Sequence, residues 1–224
     1  MSRPGRPASR LVLAVVLAAV LAAPAALAQT PPPLSREQAL ARMTSPDVDV
    51  RRRAAAALGE TGAIADAPVL LGALRDPDQL VRSAAEQSVW KVWSRSGDPE
   101  VDRLFARGLE QMSQGAGDEA IETFTRIIQK KPDFAEGWNK RATVYFLMGD
   151  YDRSLRDCDE VMRRNPSHFG ALAGYGQIYL RLGQPERALE HFERALAVNP
   201  NLAQVELVID QLRGVLIRKR KDTT

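Results

Sequence analysis

Few residues in this 224-residue chain have the type and spacing that a chemical site requires. Its only histidines are His168 and His191, and its only cysteine is Cys158. These three residues are too few for a structural zinc site built from four Cys or His ligands. The sequence also lacks the G-x-S-x-G elbow that presents a serine nucleophile. It therefore predicts no metal, no cofactor and no catalytic residue, with an enzyme of unrecognised type as an alternative.

Two other patterns come close to chemical sites. The glycines between Gly170 and Gly176 have no preceding strand and no following Lys-Ser/Thr, so they do not form a phosphate-binding loop. They predict close packing of helices instead. The carboxylate pairs Asp157/Asp159 and Glu186/Glu190 are expected to lie solvated on helix surfaces.

A period of 34 residues organises the second half of the chain. It is seen in Pro132, Pro166 and Pro200, in Gly115, Gly149 and Gly183, and in Phe124, Cys158 and Phe192. Self-similarity at this spacing indicates a helical solenoid, in which each unit is buried by its neighbours. Because Cys158 takes a core position, we expect a buried and unreactive thiol.

Each 34-residue unit is predicted to be a pair of helices. Apolar residues at three- or four-residue spacing give one face of a first helix, as at Trp138, Ala142 and Tyr145. Gly149 can then close that helix in the left-handed conformation, and the Asp150 carboxylate can cap the next helix. Neither helix buries its apolar face alone, so the units must stack.

These positions resemble the motif of the tetratricopeptide repeat (TPR) family. The motif residues present are Trp138, Ala142, Tyr145, Gly149 and Pro166 in the second unit, Leu172, Tyr179, Gly183, Ala188, Phe192 and Pro200 in the third, and Gly108, Gly115, Ala120, Phe124 and Pro132 in the first. The resemblance implies an all-α, right-handed solenoid of helical hairpins, with three units (101–134, 135–168 and 169–202) inside residues 98–202.

A second period, of 31 residues, covers residues 35–97. Its pattern D-x-x-V-R-x-x-A starts at Asp47 and again at Asp78, after a proline-containing turn, and is similar to short HEAT repeats. Both aspartates are expected to cap second helices, with first helices near 35–43 and 64–75. Trp90 and Trp93 are predicted to fill the junction with the first TPR-like helix, or alternatively to be a solvent-facing binding anchor.

Residues 1–28 have the features of a secretory signal peptide. Three arginines precede an apolar run of about 13 residues, and Ala26-Leu27-Ala28 is a small-x-small cleavage site. Cleavage is expected after Ala28, which predicts a periplasmic or secreted protein; an uncleaved membrane anchor is the alternative. Residues 29–34 are predicted to be a Pro-rich linker.

Cleavage of the signal peptide would change the formal net charge of the chain. The chain has 31 Lys and Arg against 28 Asp and Glu, and the signal peptide holds three Arg and no acid. The remaining chain is formally neutral, which gives no reason to expect a nucleic-acid partner.

Residues 203–219 are predicted to be a capping helix and 220–224 a basic tail. The run Arg218, Lys219, Arg220 and Lys221 could contact an anionic membrane surface, or be a solvated helix end.

The resemblance implies that first helices line a concave groove for a peptide or partner helix. The groove positions are Phe105, Leu109 and Met112 in the first unit, Glu136, Asn139, Lys140, Thr143, Phe146 and Leu147 in the second, and Gln177, Leu180 and Arg181 in the third. Small residues at Gly170 and Gly174 leave room there for a bulky side chain. The clamp that some TPR domains use for chaperone tails is not expected, because its Lys, Asn and Arg positions hold Phe105, Leu109, Lys140, Gly170 and Gly174.

The sequence thus predicts an exported, non-catalytic scaffold or adaptor that binds protein partners. The alternative that it leaves open is an accessory factor of a membrane or peptidoglycan machine in the cell envelope.

Overall fold

The structure is a computed structural model that describes residues 32–221, without the side chains of residues 219 and 220. The expected signal peptide 1–28, residues 29–31 of the linker and residues 222–224 of the basic tail lie outside the described residues. Within the described part every regular element is helical, which confirms the all-α class. The described residues from 33 onwards belong to one compact unit.

The HEAT-like segment forms two helix pairs. Helices α1 (Arg36–Arg42) and α2 (Val48–Thr61) make the first pair, and α3 (Ala67–Ala73) and α4 (Gln79–Trp93) make the second. A 3-10 turn at Ile64–Asp66 precedes α3. As predicted, the carboxylates of Asp47 and Asp78 cap α2 and α4 by accepting backbone N–H groups of the first turn.

The TPR segment forms three further pairs and one last helix. They are α5 (Pro99–Ser113) with α6 (Gly117–Lys130), α7 (Ala135–Leu147) with α8 (Tyr151–Arg164), α9 (Phe169–Arg181) with α10 (Pro185–Val198), and α11 (Ala203–Lys221). The glycine inside each pair has a positive φ: 73° at Gly115, 80° at Gly149 and 68° at Gly183. Since L side chains are disfavoured there, the 34-residue glycine period has a direct backbone cause.

The last helix covers the open end of the third pair. Ile209 and Leu212 of α11 are buried in the same apolar cluster as Phe192 of α10. Val215 and Ile217 are 45% and 56% exposed, next to Arg218. The helix continues through the start of the predicted tail to Lys221. Contact of this end with anionic lipid stays a prediction.

The HEAT-like pairs contact the third TPR unit, although the first TPR unit follows them directly in the sequence. Trp93 stacks on His168 with ring centroids 4.5 Å apart, and both Trp90 and Trp93 lie 5.1 Å from the Phe169 ring. The prediction that these tryptophans pack against the first TPR-like helix was therefore wrong. They fill a junction with the start of α9, because the turn between α8 and α9 presents two buried rings to α4.

A second contact lies at the turn between α10 and α11. Arg51 of α2 donates to Asp76 of the following HEAT-like pair at 2.7 and 2.9 Å. Arg82, one period later, has no third pair to bind and donates instead to Asn201 at 2.8 Å. Asn201 in turn donates to the carbonyl oxygen of Leu74 at 2.8 Å. The TPR turn thus takes the place of a further HEAT-like unit and covers the end of that array.

Candidate peptide groove and the HEAT–TPR junction

The first helices α5, α7 and α9 carry the predicted groove residues, and the HEAT-like segment covers part of that surface. Trp90 of α4 lies against Gly170 at the start of α9, where an added Cβ would be only 2.5 Å from Trp90 Cη2. The Lys140 ammonium lies 5.6 Å from the centroid of the Trp90 ring. The space predicted at Gly170 for a partner's bulky side chain is therefore filled by this chain's own tryptophan.

Burial divides the predicted residues into two groups. Phe105 packs on Phe124 and Phe134 in the interior of the first unit, so it is a core residue. Glu136 and Asn139 are buried and Lys140 is half-buried at the HEAT–TPR junction. The remaining residues are exposed or half-buried: Leu109, Met112, Thr143, Phe146, Leu147, Gln177, Leu180 and Arg181. The second group lies where a partner can reach it.

Glu136 forms a buried polar network at the junction. Its Oε1 lies 2.6 Å from Nε2 of His168, and both side chains are 0% exposed. The backbone N–H of Ala171 donates to His168 Nδ1 at 3.0 Å, so the proton belongs on Nε2, which donates to Glu136. Asn139 Nδ2 donates to the other carboxylate oxygen at 3.0 Å, and Lys140 Nζ lies 3.5 Å from it.

These contacts determine the ionisation of Glu136. Burial alone raises the pKa of its carboxyl group, because desolvation disfavours the charged form. The contacts with His168, Lys140 and Asn139 outweigh burial and lower the pKa to about 2. Glu136 is therefore an ionised anchor of the junction rather than a groove residue. The sequence carries one signal of this network: an acid and a histidine 32 residues apart, at the starts of consecutive first helices.

A pocket of about 120 Å³ remains open between α7 and α9. Thr143 and Phe146 line it from α7, Gly174 and Gln177 from α9, and Cys158 from α8. An added Cβ at Gly174 would meet only the Cys158 sulfur, at 3.9 Å. An apolar cavity of about 150 Å³ can hold benzene, so this pocket is large enough for one aliphatic side chain. We call it the groove pocket.

Cys158 lines the groove pocket, and His191 lies on α10. Burial raises the pKa of the Cys158 thiol to about 12, which is the state of an unreactive core cysteine. Burial lowers the pKa of His191, which stacks on Tyr175 and Tyr179 at 4.5 and 5.3 Å. Among the described residues, no three His, Cys, Asp or Glu side chains cluster as metal ligands would.

One of the four acidic residues that were predicted to be solvated is buried. Asp157 is buried, not solvated, and Arg141 donates to both of its carboxylate oxygens at 2.8 Å. Such a bidentate pair makes burial of the charge tolerable. Asp159, Glu186 and Glu190 are exposed, as expected.

Within residues 32–221, no helix has the length and hydrophobicity needed to cross a membrane.

Comparison with known proteins agrees with both repeat types. Sequence profiles of tetratricopeptide repeats match residues 105–155 and 133–201, and a profile of HEAT repeats matches residues 18–90. A TPR repeat-containing protein of Rhizobium etli is 32% identical over 144 residues, which cover 62% of this chain and 70% of that protein. The chain belongs to the tetratricopeptide repeat family.

Other TPR proteins are similar over shorter parts of their length. Protein bimA of Emericella nidulans is 30% identical over 109 residues, and the match covers 46% of this chain but only 14% of bimA. Among solved structures, the first TPR domain of Spaghetti (RPAP3) bound to the HSP90 peptide SRMEEVD superimposes with a TM-score of 0.50 at 25% identity. That superposition covers 52% of this chain and 93% of the domain.

Proposed function

We propose that this TPR protein is a non-catalytic interaction scaffold that binds an extended peptide segment of a partner in the open part of its groove. The observation that carries the proposal is the groove pocket, which opens between two first helices and has the size of one apolar side chain. The RPAP3 domain, which binds a peptide, supports it by analogy of fold.

The neighbouring residues suit such a ligand. Phe146 supplies an apolar wall, Gln177 is an exposed amide, and Leu147, the residue after Phe146, is 69% exposed. An amide can bond a peptide backbone while an apolar wall holds a side chain. The proposed recognition is therefore of an apolar peptide rather than of a carboxylate clamp, because the clamp positions include Gly170, which Trp90 covers.

Filling the groove pocket should abolish peptide binding without unfolding the protein. A peptide selected by phage display on residues 29–224 would be titrated calorimetrically into wild type and Gly174→Leu. The leucine side chain would occupy the pocket, and we expect affinity to fall at least about tenfold, the loss that follows exclusion of one buried side chain.

Two variants separate lost binding from lost structure. Gly174→Ala has room for its Cβ and should keep binding, with a melting temperature equal to or slightly above that of wild type because Ala favours the helix more than Gly does. Leu207→Ala truncates an exposed apolar residue of α11, away from the pocket, and should bind as wild type does. If Gly174→Leu binds the peptide unchanged, the groove pocket is not the site.

We also propose that the protein acts in the periplasm or at the cell envelope after export. The support is the sequence of residues 1–28, with Arg3, Arg6 and Arg10 before an apolar run and a small-x-small site. Mass spectrometry of the protein from a periplasmic fraction should show an N-terminus at Gln29. A cytoplasmic protein that retains residues 1–28 would contradict the proposal.

A further inference from the structure

A second concavity lies at the HEAT–TPR junction. This junction cleft has a volume of about 350 Å³ and shares no lining residue with the groove pocket. Ile64, Pro68 and Leu71 line it from the HEAT-like segment, and Arg95, Lys131 and Arg164 are its cationic lining residues. Its volume is in the range of small-molecule sites, which begin near about 300 Å³.

The part of the junction cleft that α3 and the turn before it line is apolar. Ile64 is 59% exposed in the 3-10 turn before α3, and Leu71 is partly buried one helix turn beyond Pro68. The buried Trp93 also lines the cleft. A ligand with an aliphatic or aromatic part would remove this surface from water, which is favourable in proportion to the area covered.

The cationic residues are only partly neutralised. The Arg95 guanidinium donates to the carbonyl oxygens of Gly59 and Gly62, which hold it without cancelling its charge. Lys131 Nζ lies 3.7 Å from the exposed Asp133 carboxylate, which is beyond a normal hydrogen bond. Arg164 is paired with Glu160. With Asp133 as the only acid among the lining residues described, the junction cleft carries a net positive charge.

We propose that the junction cleft binds a carboxylate attached to an apolar group. The Lys131 ammonium, which lies 3.7 Å from the exposed Asp133 carboxylate, would hold the ligand carboxylate, and Ile64 with Leu71 would cover the apolar part. This chemistry has two sources, the C-terminal residue of a peptide and a free aliphatic acid. The inference is independent of the proposed peptide groove, since the two sites have no residue in common.

The test titrates residues 29–224 with N-acetyl-Leu-Leu as the free acid, with the same dipeptide as its C-terminal amide, and with octanoate, followed by calorimetry and tryptophan emission. Saturable binding of either acid is expected, with the amide at least about tenfold weaker because it lacks the charge. Binding of the dipeptide acid alone identifies a peptide C-terminus, and binding of octanoate alone identifies a free acid.

Matched variants place the binding in the cleft. Lys131→Gln and Ile64→Ser should each weaken binding several-fold, while the neighbours Lys130→Gln and Val69→Ser, which do not line the cleft, should leave it unchanged. All four positions are at least partly exposed, so the fold should persist. Equal affinity for acid and amide, equal losses in the control variants, or no saturation by any probe up to about 10 mM would each overturn the proposal.

Discussion

Truncation of Trp93 to alanine is expected to lower the free energy of unfolding by about 3–5 kcal/mol, the cost of deleting a large buried aromatic side chain. Trp93 is 3% exposed, stacks on His168 and contacts Phe169 and Trp90. Its loss leaves a cavity between the HEAT-like array and the third TPR unit. The measurement is urea-induced unfolding followed by circular dichroism.

The matched control is Leu80→Ala in the same helix. Leu80 is 55% exposed, so its truncation should change the free energy of unfolding by less than about 0.5 kcal/mol. A Trp93→Ala variant as stable as Leu80→Ala would show that the HEAT–TPR contact contributes little to stability.

Removal of the Glu136 carboxylate should have the second large effect. In Glu136→Ala the buried Nε2–H of His168 loses its acceptor and Lys140 loses its nearest carboxylate. Leaving a buried donor without its acceptor typically costs about 1–3 kcal/mol, and more where the lost hydrogen bond was to a charged group such as this carboxylate. Glu136→Gln keeps an acceptor for His168 but removes the charge, so we expect a smaller loss at neutral pH.

The pH dependence of that loss has a definite sign. The pKa of Glu136 falls from its ordinary value of 4.5 to about 2 in the folded protein, so the unfolded chain binds the proton more readily. The stabilisation is therefore present above about pH 4.5 and is lost as the pH falls towards 2. Wild type and Glu136→Gln should converge in stability over that range.

Substitution of an exposed glutamate serves as the control for Glu136→Gln. Glu119 is exposed on α6, so Glu119→Gln should change the free energy of unfolding by less than about 0.5 kcal/mol. A constant stability difference between wild type and Glu136→Gln across the range would mean that Glu136 is not a charged anchor of the folded state.

Local structure was predictable from the sequence because its causes are local. Left-handed glycines such as Gly149 and caps such as Asp78 and Asp150 each act within one turn of chain. Periodic apolar residues then fix which helices pair. This is why the solenoid class and both repeat types were confirmed.

The return of the HEAT-like array onto the third unit was not predictable in the same way. A repeat pattern reports contacts between consecutive units, whereas Trp93 meets His168 and Arg82 meets Asn201. For the same reason the groove was predicted too large: position alone could not show that Trp90 covers Gly170 or that Glu136 is enclosed. Family positions indicated which residues face inwards but not which of them stay accessible.

The hydrogen bond between Arg82 and Asn201 also constrains the order of folding. It joins residues 119 positions apart, whereas an open solenoid is stabilised by contacts between adjacent units and can form from one end. The α3–α4 pair acquires its last partner only after the turn before α11 has been synthesised, so the N-terminal array is expected to be completed late. High sequence separation of this kind slows folding and couples the two ends of the chain into one cooperative transition.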